Sequence, residues 1–181
     1  RVPIEPLSLE NVLLLRDHPD ASRTEPLPAG QTRTPAYLGI DVGSVSTNLA
    51  VLDEEGRLLH EIYLRTVGRP IEIVHEGMQE IERLLGTRIE IRGVGTTGSG
   101  RELIGELVGA DTVNDEITAH KTGAIYVHER FVRNQAAKGA APGFAGDIGG
   151  VDTIFEIGGQ DAKYISIDHD VVVDFAMNEA C

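Results

Sequence analysis

From residue 36 onward, apolar and polar positions fall into short ordered blocks. Tyr37–Asp41 is a brief apolar run that ends on an acid. Thr47–Leu52 is a second run of β type, and Leu58–Leu64 a third. Between the last two, Asp53-Glu54-Glu55-Gly56 has the composition of a hairpin turn. Pro70 then opens a stretch with Ile71, Val74, Met78, Ile81, Leu84 and Leu85 at helical spacing, and Gly86 suits its end. Ile89–Val94 predicts a fourth strand, which runs into the glycine-rich turn Gly95–Gly100 and a helix over about Arg101–Val108. Asp115–Phe131 predicts a second long helix. Thr153–Ile157 predicts a strand ending on Gly158-Gly159, and Lys163–Ile167 and Val171–Phe175 pair as a hairpin around Asp168-His169-Asp170.

This order is three strands, a helix, a strand, helices, then more strands. Meandering strands followed by a helical crossover predict an α/β fold: a mixed sheet with helices packed on it. A Rossmann fold would alternate strand and helix throughout, which this chain does not. Two stretches break the pattern. Six of the eight prolines lie in residues 1–35, and proline removes backbone donors, so we expect a linker or the tail of a preceding domain there. The alternative there is a strand or helix over Leu9–Leu15 packed on the main domain. Residues 133–150 are rich in Gly and Ala without apolar period and predict a flexible surface insertion.

Composition narrows the function. The chain has 181 residues, of which 29 are acidic and 16 basic, a net charge of −13. Nucleic-acid binding needs basic surface, so no nucleic-acid partner is expected. A nucleotide remains compatible, because backbone N–H groups and a metal ion hold phosphate without many cations. No apolar run suits a membrane span and no signal peptide is visible, which predicts a cytoplasmic protein. One cysteine rules out an internal disulfide framework. The start at Arg1 and the end at Cys181, straight after a strand-like run, suggest a piece of a longer protein.

Two turns carry the candidate chemistry. In Asp41-Val42-Gly43-Ser44-Val45-Ser46-Thr47-Asn48 a strand delivers an acid to a tight turn. Its hydroxyls and N–H groups suit terminal phosphates, and Asp41 suits a magnesium ion, directly or through water. Alone, it is equally an ordinary hairpin turn. Glu156-Ile157-Gly158-Gly159-Gln160-Asp161 repeats the design, with Glu156 and Asp161 placed to orient a metal-bound water or the attacking water. Two such turns in one chain point to two loops gripping one nucleotide. The six histidines show no metal-ligand spacing.

Tyr37–Asn48, Gly93–Arg101, Asn114–His120 and Thr153–Lys163 together resemble the activator ATPases of 2-hydroxyacyl-CoA dehydratases and benzoyl-CoA reductases. These belong to the actin, sugar-kinase and heat-shock-chaperone superfamily, so the resemblance implies a ribonuclease-H-like, actin-like ATPase fold over about residues 36–181. It implies a homodimer that binds ATP or ADP with magnesium and shares one [4Fe-4S] cluster. ATP hydrolysis there drives transfer of one low-potential electron to a dehydratase or reductase partner. Carried onto this chain, the resemblance makes Asp41, Glu116, Glu156 and Asp161 catalytic. It puts nucleotide contacts at Gly43, Ser44, Val45, Ser46, Thr47, Thr97, Gly98, Gly158, Gly159 and Gln160. Glu116 reads equally as a helix-start acid favoured by the dipole. Asn48 departs from the family, many of whose members carry Lys there. Met177–Cys181 resembles the segment whose cysteine ligates the cluster, so Cys181 becomes an iron–sulfur ligand of the full-length dimer. The second cysteine and the adenine-binding region are expected beyond residue 181, and hydrolysis with them. Two alternatives stand: a sugar, amino-sugar or acyl kinase of the same superfamily, and a non-catalytic nucleotide-binding scaffold domain.

Overall fold

A computed structural model describes residues 8, 12, 14–17, 24–30, 33–132, 150–159 and 161–179. Strands β1 (Thr34–Val42), β2 (Ser46–Asp53) and β3 (Leu58–Arg65) meander antiparallel, as their alternating patterns predict. Helix α1 (Pro70–Leu85) crosses over, and β4 (Ile89–Thr97) returns parallel to β1. Helix α2 (Arg101–Val108) leads to β5 (Thr112–Val113), and the five strands form a mixed sheet in the order β3-β2-β1-β4-β5. Helix α3 (Glu116–Val127) precedes a separate antiparallel sheet of β6 (Thr153–Ile157), β7 (Asp161–Asp168) and β8 (Val171–Glu179).

Strand β1 begins two residues before the expected boundary. Thr34 N–H donates to Arg88 O at 2.8 Å, so the missing N–H of Pro35 falls on the side facing β2. Pairing with β2 starts only at Ala36, and the proline costs no ladder bond. Glu25 N–H donates to Leu58 O at 2.7 Å and Leu27 packs against the core, which ties part of the proline-rich stretch to the sheet. Residues 133–149 lie outside the described residues.

The core fills the space between the sheet and α1 and α2. Ile40, Leu49, Val51 and Ile104 are essentially inaccessible there. The helical spacing is right and buries Val74, Ile81 and Leu85, but the stripe is shifted to one side of the other apolar positions. Ile71, Met78 and Leu84 are exposed, and the buried stripe is Ile73, Val74, Gly77, Ile81 and Leu85. Gly77 decides this: a Cβ there would stand 2.7 Å from Leu49 Cδ1, so the bare backbone lets the helix sit down on β2.

Three further differences bear on the site. Strand β4 continues through Gly95, Thr96 and Thr97, which pair with Gly39, Ile40 and Asp41, so the turn shrinks to Gly98–Gly100. Asp115 stands outside α3 as its N-cap, accepting from Thr118 N–H at 2.8 Å. Hydrogen bonds from the Thr118 backbone and hydroxyl hold its carboxyl below the usual aspartate range. Helix α3 passes into a π-helical turn at His128–Val132 instead of running on as α-helix. There Tyr126 OH donates to Gly56 O at 2.6 Å and Arg130 to Glu55 O, fastening this end to the β2–β3 turn.

Candidate functional site

Strand β1 ends at the top edge of the sheet, where Asp41 lies between Asn48 on β2 and Thr97 on β4. Asn48 Nδ2 donates to Asp41 Oδ2 at 3.2 Å and orients the carboxylate. The chain then turns through Gly43–Ser46, closed by Gly43 N–H donating to Ser46 O at 2.9 Å. The turn between β6 and β7 closes in the same way: Gly158 N–H donates to Asp161 O, also at 2.9 Å. The likeness of the two motifs therefore extends to the backbone.

These turns meet. A Cβ on Gly159 would fall inside the methyl groups of Val45, so only glycine lets the second turn approach the first this closely. Between them lies a cavity of about 390 Å³, within the range of small-molecule sites. Asp41, Gly43, Ser44, Val45 and Ser46 line one side, and Glu156, Gly158, Gly159 and Asp161 the other. Thr97, Gly98 and Ser99 form its floor at the β4–α2 turn, while Glu116 and His120 reach it from one face of α3. The Thr97 hydroxyl is buried without a hydrogen-bond partner, an unsatisfied polar atom in a cleft wall that a ligand oxygen would satisfy.

Thr47 does not line the cavity. It is wholly buried beneath the first turn, its hydroxyl 2.9 Å from that of Thr66. Thr66 Oγ1 donates to Gly43 O at 2.7 Å, and Thr66 N–H to Val45 O at 2.9 Å. Thr47 and Thr66 thus brace the turn from below. Gln160 and Cys181 lie outside the described residues.

Sequence reasoning passed over Lys163. Its side chain is 3% exposed, and its Nζ contacts Asp161 Oδ1 at 2.7 Å, Glu156 Oε2 at 2.9 Å and Glu116 Oε2 at 2.9 Å. Burial works against its charge, but hydrogen bonds to the three carboxylates outweigh that and hold the ammonium well above the usual lysine range. The signal was present in the strand period. Lys163, Ile165 and Ile167 alternate along β7, so a lysine occupies a position on the buried face. Thr66 offered no comparable signal, since only the return of β3 beneath the turn makes it a brace.

Among sequences, MJ0800 of Methanocaldococcus jannaschii is 32% identical over 147 residues, 80% of this chain and 30% of that protein. YjiL of Escherichia coli is 30% identical over 145 residues, covering 80% of this chain and 46% of its own. Among solved structures, component A of the (R)-2-hydroxyglutaryl-CoA dehydratase of Acidaminococcus fermentans superposes with a TM-score of 0.61 at 22% identity, over 82% of this chain and 49% of that one. The activator of the 2-hydroxyisocaproyl-CoA dehydratase from Clostridium difficile, with bound ADPNP, gives 0.58 at 23%, over 81% and 46%. The chain spans less than half the length of each of these relatives. The structural likeness is one of fold, the ribonuclease-H-like fold of the actin-like ATPases. Residues 38–181, which include every segment of the cleft, match the BadF/BadG/BcrA/BcrD ATPase family, and the chain belongs to that family.

Proposed function

We propose that this chain supplies the phosphate-gripping part of an ATPase that couples ATP hydrolysis to low-potential electron transfer, delivered to a 2-hydroxyacyl-CoA dehydratase or related reductase component. The observation that carries the reading is the single cleft in which two acid-bearing turns of the same backbone closure face each other. The bound ADPNP of the 2-hydroxyisocaproyl-CoA dehydratase activator supports a nucleotide as the ligand of this fold.

In this reading the backbone N–H groups of the Gly43–Ser46 and Gly158–Gly159 turns grip the phosphate oxygens. The buried Thr97 hydroxyl satisfies another oxygen. Magnesium suits Asp41, whose Oδ2 is already steadied by Asn48. Among the described residues no three acids, histidines or cysteines converge as a metal site of their own. Magnesium is commonly held by one or two carboxylates together with phosphate and water, which this geometry permits. Bound there, it supplies neutralisation of the phosphate charge. Glu116, Glu156 and Asp161 stand at the cleft to orient the attacking water. A [4Fe-4S] cluster takes four thiolates, and this chain carries one cysteine, Cys181. These residues do not make a cluster site, no step here runs through one, and electron transfer and dimerisation belong to the longer protein.

The test is calorimetric titration with ADPNP and magnesium. The longer protein, with its expected adenine-binding region, is expected to bind, and Asp41→Asn to weaken magnesium-dependent binding on the order of 10- to 100-fold. Absence of binding by the longer protein, or equal binding by the variant, refutes the reading. Turnover of ATP by the longer protein without an added hydroxyl acceptor separates hydrolysis from kinase activity.

A further inference from the structure

The cleft poses an electrostatic problem. Four carboxylates line it (Asp41, Glu116, Glu156 and Asp161), and the ligand proposed for it is a polyanion. Among the described lining residues Lys163 is the one lysine or arginine. Asn48, beside Asp41, adds no charge.

Three elements bring the acids to Lys163. Glu156 is its register partner across β6 and β7, Asp161 sits two residues back on the same face of β7, and Glu116 comes from the first turn of α3. An ammonium has three donors, and here each meets one carboxylate. Nothing about stability demands this arrangement. A buried ion pair often stabilises no more than apolar residues of the same size, and Lys163 continues a buried face made by Ile165 and Ile167. A leucine would suit that position if packing alone mattered.

We propose that Lys163 is a tethered counter-ion: it offsets the carboxylates of Glu116, Glu156 and Asp161 so that a nucleoside polyphosphate can enter an acid-lined cleft, an inference that rests on the nucleotide reading above. It acts through those carboxylates and the field they make, since its own donors are already engaged, and is therefore a positioning residue. Its charge fixes the three acids in place and lowers the repulsion met by incoming phosphate.

The experiment measures ADPNP–magnesium affinity in four proteins: native, Lys163→Met, Lys163→Arg, and Lys163→Met combined with Glu156→Gln and Asp161→Asn. Losing the one lysine or arginine charge among the described cleft-lining residues is expected to weaken binding by about tenfold or more in Lys163→Met. Arginine keeps the charge and is expected to stay within about threefold of native. Removing two of the acids that the lysine offsets is expected to restore most of the affinity. Neutralising stranded carboxylates would also relieve a purely structural defect, so the discriminating readout is affinity in protein shown to be folded by circular dichroism, where a purely structural lysine predicts native affinity in Lys163→Met. Should Lys163→Met fail to fold by circular dichroism, Lys163→Gln keeps hydrogen-bond donors without the charge and is expected to show the same weakening. Native-like affinity in the neutral variant that folds, or a triple variant no better than Lys163→Met, overturns the inference while the nucleotide reading stands. These substitutions are made in the longer protein, and its failure to bind in native form overturns both.

Discussion

Gly98→Ala is the sharpest perturbation of the cleft floor. Gly98 has φ +87°, a region that alanine enters at about 1–2 kcal/mol. Space adds a second cost. A Cβ there would stand 2.5 Å from Val42 O, 2.7 Å from Val42 C and 2.6 Å from Asp41 Oδ1. Two of these atoms are backbone of β1, which is paired on both sides, so they cannot swing aside as a side-chain end would. Val42 O also accepts from Gly100 N–H at 2.9 Å, a bond that sets the start of α2. Overpacking of this kind costs about 1–3 kcal/mol. The total expected is about 2–5 kcal/mol. Gly109→Ala is the control. That residue has φ +67°, but no atom lies within 4 Å of its would-be Cβ, so only the backbone cost applies. Urea unfolding followed by circular dichroism gives both values by linear extrapolation. Gly98→Ala is expected to lose about 1–3 kcal/mol more than Gly109→Ala, and to lose ADPNP binding as Asp41 is displaced. Two variants within about 0.5 kcal/mol of each other would mean that the strand yields and the steric reasoning is wrong.

Two other perturbations test the supports of the site. Thr66→Val removes the donor to Gly43 O and strands the buried Thr47 hydroxyl. It is expected to cost about 1–3 kcal/mol and to weaken ADPNP binding, and unchanged values for both would dismiss the brace. Asp53 is buried and accepts from Arg57 N–H at 2.8 Å, Arg57 Nε at 2.6 Å and Glu55 N–H at 3.1 Å. Burial pushes its carboxyl up, but these bonds and the Arg57 charge prevail and hold it below the usual aspartate value. A depressed folded pKa stabilises above the unfolded value and is lost as pH falls through the folded one. Asp53→Asn is therefore expected to cost about 1–3 kcal/mol at neutral pH, in a gap that narrows below about pH 4. A gap constant from pH 7 to about pH 3 counts against this account.

Much of the molecule is legible in its sequence. Alternation along β1, β2 and β3 and the spacing in α1 are local properties, and each follows from which side chains a strand or helix can bury. The acid-plus-glycine turns were legible for the same reason. Gly43 and Gly158 fall where a strand must reverse within four residues, and that constraint is written into neighbouring positions. The short β5 was not, because two residues carry no periodicity, and Thr112–Val113 is a strand only through its partners on β4. Nor was the buried face of α1, which depends on Leu49 meeting Gly77 from another element.

What the sequence alone determined is the order of elements, the positions of the turns and the residue types at their tips. What only the tertiary structure decided is which distant groups share a space: Lys163 with Glu116, 47 positions away, and Val45 with Gly159. Periodicity reports the burial of one element at a time. A site assembled from β1, β4, α3, β6 and β7 exists only once the sheet order and the close approach of two bare backbones have brought those elements to one cleft.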